Sequence, residues 1–151
     1  MPRALIAEHP GIVAKVSAAE RGVLAHEAWA ANAPAVALML ELGFDPAVNS
    51  PNGGNALHCA AFMGSTECVA AILRHPAGRA LLDVRDPRFG GAPLNWCSHG
   101  SRNTSPVGKD HAGVARLLIE AGASVDPSMA EWDVSDELHA LIDDALRDRR
   151  R

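Results

Sequence analysis

The stretch 53–74 constrains the fold most, because its pattern predicts two short helices joined by a tight turn. Gly53 and Gly54 favour a turn, and the alanine-rich run after Asn55 favours a helix. Past a second turn, apolar residues recur at helical spacing, namely Cys68, Val69, Ile72 and Leu73. A unit this small cannot bury its own apolar face, so it needs a similar unit on each side.

Both halves of this unit occur again in the chain. Residues 90–97, Gly-Gly-Ala-Pro-Leu-Asn-Trp-Cys, repeat the opening turn and the start of the first helix. Residues 114–126 repeat the second helix and its exit, and residues 35–46 are an upstream copy of that exit. Tandem copies of one helix pair predict a solenoid, in which each pair contacts its neighbours.

These residues resemble the ankyrin-repeat family, whose unit of about 33 residues carries the signature T-P-L-H-x-A. Residues 55–60 match it with Asn for Thr and Ala for Pro, and residues 92–97 match it with Ala, Asn and Cys for Thr, His and Ala. The copy at 22–27 is degenerate, as expected of a terminal repeat. The resemblance spans roughly residues 20–126, and it implies an all-α ankyrin-repeat solenoid of about three repeats plus N- and C-terminal capping helices.

The length suits one domain covering residues 1–151. Caps are expected at both ends, because an uncapped stack of repeats exposes its apolar side. The predicted parts are an N-terminal cap at 1–21, repeats at 22–49, 50–85 and 86–126, and a C-terminal cap at 127–151. The third repeat contains the stretch 101–110, which is polar and aperiodic and is predicted to be an inserted loop.

Composition and charge narrow the classes of partner. The formal net charge of -4 argues against nucleic acid, which needs a basic face. No apolar run approaches the roughly 18 residues of a membrane span, and no signal-peptide pattern opens the chain. The three cysteines, an odd number within predicted helices, are expected to be buried thiols of a reducing compartment, which predicts a cytoplasmic protein.

Alignment of the repeats predicts which side chains share a face. Trp29 lies one 33-residue period before Phe62, and the opening motif aligns Trp96 with Cys59 and His99 with Phe62. Each inner helix then carries a stripe at i, i+3 and i+4. In the ankyrin family these positions border the concave binding groove. Turns between the repeats project as fingers, and the second finger is predicted at 86–91 with Arg88 and Phe89 at its tip. The resemblance thus implies partner-binding roles for these residues of the groove and the finger tip: Trp29, Phe62, Met63, Trp96, His99, His26, Arg88 and Phe89.

Catalytic and metal chemistry find little support in the pattern. Cys97 and His99 are expected to face opposite sides, whereas zinc needs about four convergent ligands, so no metal or cofactor is expected. Cys59 beside His26 and His99 is the one arrangement suited to a nucleophilic thiol, and His26 with Glu27 could act as acid and base. In the family, the His equivalent to His58 is structural and fixes the turn.

Two functions from different classes follow. The first is a non-catalytic module that binds a partner protein through the groove and the finger turns. The alternative is a small-molecule site, catalytic or not, in the same groove, with the 101–110 loop as its lid. A closed pocket of several hundred cubic ångströms would favour the small ligand, and an open trough would favour a protein.

Overall fold

Within residues 22–50, 53–104 and 107–149, which the computed structural model describes, the chain forms seven α-helices and no strand. The helices are α1 (Val23–Trp29), α2 (Ala33–Glu41), α3 (Ala56–Phe62), α4 (Thr66–Arg74), α5 (Pro93–Asn103), α6 (His111–Ala121) and α7 (Asp136–Arg149). Short 3₁₀ helices occur at Arg79–Leu81 and Pro127–Glu131. The expected N-terminal cap at 1–21 lies outside the described residues.

The helices form two layers. In the inner layer α3 packs between α1 and α5, and in the outer layer α4 packs between α2 and α6. The last helix, α7, packs on α6 and on the second 3₁₀ helix, and its role as the C-terminal cap stays a prediction. The fold is therefore a row of stacked helix pairs, as the repeated pattern predicts.

Small side chains let the inner helices approach each other closely. Ala60, Ala61 and Cys97 have no exposed surface, and they join the core with larger residues such as Leu57 and Leu118. Each fully buried leucine contributes roughly 1.5–3 kcal/mol relative to an exposed one. The row is held together chiefly by this continuous apolar core.

Polar side chains set where several helices begin. Asn55 Oδ1 accepts from the backbone N–H groups of Leu57 and His58 at the start of α3. Ser65 caps α4 in the same way, and Asp110 Oδ1 accepts from the N–H of Gly113 at 2.8 Å and caps α6. These caps satisfy donors that have no partner inside their own helix.

The predicted loop at 101–110 differs from the structure in its first residues. Helix α5 continues through Asn103, so the connection to α6 is shorter than expected. Side chains of the last turn bond back to the helix: Ser101 Oγ donates to Ser98 O, and Asn103 Nδ2 donates to His99 O. These bonds satisfy terminal carbonyl groups and allow a polar, aperiodic stretch to remain helical.

Turns between the helix pairs form two fingers: the second lies at 86–91, and the structure describes residues 48–50 and 53–54 of the first. In the second finger the N–H of Asp86 donates to Gly91 O at 2.9 Å, and the N–H of Gly90 donates to Asp86 O at 3.0 Å. In the first, the N–H of Ser50 donates to Gly54 O at 2.8 Å. The second finger carries much of the candidate site.

Candidate functional site

Four aromatic rings from three successive repeats form one row along the inner helices. Trp29 stacks on Phe62 with ring centroids 4.9 Å apart and an interplanar angle of 16°. Phe62 meets Trp96 edge to face at 6.1 Å, and Trp96 meets Phe89 edge to face at 6.0 Å. Offset and edge-to-face pairs at these distances are favourable. We call these four residues the aromatic row.

The second finger is built around the carboxylate of Asp86. Its Oδ2 accepts from the N–H groups of Arg88 and Phe89 at 3.0 and 2.6 Å. Its Oδ1 accepts from the N–H of Gly91 at 2.8 Å and from the indole Nε1–H of Trp96 at 2.9 Å. Burial alone would raise the pKa of Asp86, but these hydrogen bonds outweigh it and lower the pKa. The carboxylate thus joins the finger to α5.

Trp96 is 7 % exposed because it lies between the two fingers. A Cβ placed on Gly54 would lie 2.8 Å from the Trp96 ring and 2.7 Å from His58 Cβ, so only glycine fits there. The Trp96 ring also lies 5.2 Å from the His58 ring. Trp96 therefore connects the second and third repeats and also contributes to a cavity on the groove side.

A cavity of about 350 Å³ lies where the second finger meets α5. Three rings of the aromatic row line it, those of Phe62, Phe89 and Trp96. Its polar lining comes from side chains of α5 and from the backbone of the finger, namely Asn95, His99, Asn103, Gly90 and Gly91. The volume is at the lower end of the roughly 300–1,000 Å³ that ligand pockets occupy.

The finger tip presents a large apolar side chain to solvent. Phe89 is 69 % exposed, and the guanidinium carbon of Arg88 lies 5.3 Å from the centre of its ring. An arginine at this distance makes a cation–π contact. Exposed aromatic residues beside a cavity are typical of sites that bind other proteins.

Four of the eight predicted site residues line the cavity, and four do not. The lining residues are Phe62, Phe89, Trp96 and His99. Trp29 and Arg88 do not line the cavity themselves, but each contacts a residue that does: Trp29 stacks on Phe62, and Arg88 lies over the ring of Phe89. His26 is exposed on α1 and Met63 is half-buried at the end of α3, and neither lines the cavity.

The expectation that Cys59 faces the groove is wrong. Cys59 has no exposed surface, and its Sγ lies 3.8 Å from Gly54 O at the base of the first finger. A position in the first turn of an inner helix lies under the finger, which helical spacing alone does not reveal. Burial raises the pKa of the Cys59 thiol to about 11, so the thiolate that a nucleophile needs is scarce.

Cys97 is also buried, and it faces α6 rather than the groove. Its Sγ donates to His111 O at 3.2 Å, and burial raises the pKa of its thiol to about 12. Glu27, proposed with His26 as an acid–base pair, accepts a hydrogen bond from Asn32 at 3.1 Å. Over residues 22–50, 53–104 and 107–149, no group of three or more His, Cys, Asp or Glu could hold a metal ion.

His58 stabilises the turn between repeats. Its Nδ1 accepts from the N–H of Asn55 at 3.2 Å, and its Nε2–H donates to the carbonyl oxygens of Val84 and Gly91, each at 2.9 Å. Burial lowers the pKa of His58, and the hydrogen bonds to the two carbonyls oppose this only in part. The neutral ring thus joins α3 to Val84, just before the second finger, and to Gly91 at its end.

Sequence reasoning missed three side chains of the site: Asp86, Asn95 and Asn103. Asp86 was assigned only to the finger turn, although an aspartate before Pro87 is a signal for side-chain bonding to nearby N–H groups. Asn95 occupies the position of the signature histidine, and its Oδ1 accepts from the N–H of Ala92. Asn103 was assigned to the inserted loop.

Stacked helix pairs joined by projecting fingers define a helical repeat protein with an inner, ring-lined face. The family described as ankyrin repeats, in three copies, matches residues 25–129, and the chain belongs to this family. Ankyrin repeats are generally protein–protein interaction modules. Comparison with curated proteins gives no match. In the described part of the chain, no helix has both the length and the apolar content needed to cross a membrane.

Proposed function

We propose that this chain is a non-catalytic interaction module that holds a partner protein against the inner helices and the second finger. The aromatic row, with its cavity and the exposed Phe89, is the observation that carries the proposal. Interface energy concentrates in a few aromatic and arginine anchors at the centre of a contact. Here an apolar side chain of the partner fills the cavity, and Phe89 packs against the partner from the finger side.

Binding of a small molecule is the second candidate, and the cavity volume favours it. About 350 Å³ suits a small ligand, and Asn95, His99 and Asn103 offer polar contacts. Of the residues of the expected lid that the structure describes, 101–104 and 107–110, Asn103 alone lines the cavity, and Asn103 belongs to α5. Catalysis in this cavity has less support, because Cys59, the thiol considered for it, is buried away from the groove.

Cross-linking capture followed by mass spectrometry would identify candidate partners, and purified protein would then be titrated with each one. We expect Phe89→Ala and Phe62→Ala to weaken the affinity at least tenfold, because each removes a ring that lines the cavity. Val107→Ala is the matched control, since Val107 is an 83 % exposed apolar residue that does not line the cavity.

Two results would contradict the proposal. A partner that binds Phe89→Ala and Phe62→Ala as tightly as the wild type does not use the aromatic row. A low-molecular-weight ligand that co-purifies, and is lost in the same two variants, would instead support the small-molecule function. Thermal unfolding of each variant separates a loss of binding from a loss of fold, and Phe89→Ala should melt close to the wild type because its side chain is mostly exposed.

The proposal includes a reducing compartment such as the cytoplasm. Cys59, Cys68 and Cys97 are all free and buried, and they are the only cysteines in the sequence. Disulfides are typical of secreted proteins and rare in the cytosol, so unpaired cysteines favour a reducing environment.

A further inference from the structure

We infer that the partner enters the cavity as a short acidic peptide segment, in which one bulky apolar side chain is flanked by carboxylates. This inference rests on the proposed function and specifies the chemistry of its partner. The charges around the cavity carry it, because they differ in sign from the net charge of the chain.

Three arginines lie on, or next to, two of the three elements that line the cavity, the second finger and α5. Arg85 and Arg88 belong to the second finger region, and Arg102 lies in the last turn of α5. Arg85 Nη1 donates to the carbonyl of Gly90 at 2.9 Å, and Gly90 lines the cavity. All three side chains are exposed, although the chain as a whole has a net charge of -4.

Arg85 interacts electrostatically with the exposed carboxylate of Asp126, whereas no carboxylate of the cavity walls is available to Arg88 or Arg102. Neither α3 nor α5 contains Asp or Glu. The carboxylate of Asp86 is 2 % exposed, and both of its oxygens already accept hydrogen bonds from the finger and from Trp96. Arg88 and Arg102 therefore give the cavity walls an excess of positive charge, while three aromatic rings line the cavity.

This combination selects among the ligands that an aromatic cavity can hold. A quaternary ammonium or methylated lysine prefers a cage of rings, but the guanidinium groups of Arg88 and Arg102 would repel it. A neutral apolar segment would fill the cavity without using the arginines. Carboxylates beside an apolar anchor satisfy both features, since guanidinium groups bind carboxylates through paired hydrogen bonds.

A library of random 12-residue peptides displayed on phage tests this inference with the wild-type protein as bait. We expect enriched sequences to contain Phe, Trp, Leu or Met with at least two Asp or Glu residues within about four positions. Synthetic copies of these peptides should bind Arg88→Glu/Arg102→Glu about tenfold more weakly than the wild type, with a smaller difference at high salt. Arg116→Glu is the matched control, since Arg116 is exposed on the outer helix α6.

The outcomes separate this inference from the proposed function. Enriched peptides that are basic or neutral, yet lose binding to Phe89→Ala, would overturn the acidic partner and leave the groove proposal intact. Acidic peptides that bind Phe89→Ala and Phe62→Ala without loss would contradict both, because they do not use the cavity. A selection that enriches no sequence would overturn the inference, since it commits to a short linear segment.

Discussion

Replacing Asp86 with Asn isolates the contribution of one buried carboxylate to the second finger. Four N–H groups donate to its two oxygens, two to each, over distances of 2.6–3.0 Å. An asparagine has nearly the same shape but only one acceptor oxygen. Whichever way the amide turns, its NH₂ group faces two donors that had an acceptor in the wild type.

The size of the effect follows from this geometry. Each buried donor that loses its acceptor costs roughly 1–3 kcal/mol, so two lost acceptors cost roughly 2–6 kcal/mol. The neutral amide avoids the cost of burying a charge, which offsets part of the loss. We therefore expect the free energy of unfolding to fall by about 2–4 kcal/mol, the lower half of that range. The partner affinity should fall too, because Phe89 and Gly91 lose the group that positions them.

Urea denaturation followed by tryptophan fluorescence measures the change at neutral pH and again in acid. Asp86 has a lowered pKa, so its stabilisation is complete above its ordinary value of 3.8 and is lost as the pH falls through the folded-state pKa. The difference between wild type and D86N should shrink over that acid range. His58 also has a lowered pKa, which weakens the fold of both proteins below pH 6.5. The charge of Asp86 opposes that lowering, so this acid effect is somewhat larger in D86N and works against the shrinking difference.

Asp143→Asn provides the control, because Asp143 is an exposed carboxylate on α7. It should change the unfolding free energy by less than about 0.5 kcal/mol. A D86N variant that behaves like this control would refute the reasoning, since it would mean that the carboxylate does not hold the finger. A loss that stays constant from neutral pH to pH 2 would refute the assigned ionisation.

Two further substitutions test the packing between repeats. Asn55→Thr, which restores the family residue, should raise the unfolding free energy by about 1 kcal/mol. Asn55 Nδ2 is buried without a hydrogen-bond partner among the described residues, whereas a threonine hydroxyl can still accept from the N–H of His58. An unchanged urea midpoint would contradict this prediction. Gly100→Ala should lower the unfolding free energy by about 1–3 kcal/mol, because a Cβ there would lie 1.8 Å from the carbonyl oxygen of Phe62. Alanine ordinarily stabilises a helix relative to glycine by roughly 0.5–1 kcal/mol, so a more stable variant would show that α3 and α5 can separate.

Periodicity predicted the helix pairs well because each pair repeats the same burial pattern. Local signals in the sequence set the boundaries of α4 and α6: Ser65 and Asp110 cap their starts, and α4 ends at His75 before Pro76. The predicted end of α5 was wrong because the last turn of this helix has no apolar residues at helical spacing. Its helicity depends on side chains that bond to their own carbonyls, including Asn103.

Alignment by repeat period also brought the correct rings together, as the stacking of Trp29 on Phe62 illustrates. Their role in binding a partner stays a prediction. The same alignment gave the wrong exposure for Cys59. The position of a residue on a helix gives the direction of its side chain, but it does not show which neighbouring segment covers that side chain. The base of the first finger covers Cys59, and the position of a finger depends on contacts between repeats.

Asp86 explains why the cavity could not be predicted from the ring positions alone. The rings of Phe62 and Trp96 lie on helices, whose spacing the repeat fixes, whereas Phe89 lies on a finger whose position depends on the hydrogen bonds of one carboxylate. Those bonds also occupy both Asp86 oxygens, and so leave Arg88 without a carboxylate partner within the finger. The carboxylate that shapes the cavity therefore also affects the charge of its walls, and substitutions at this position should alter partner affinity and partner choice together.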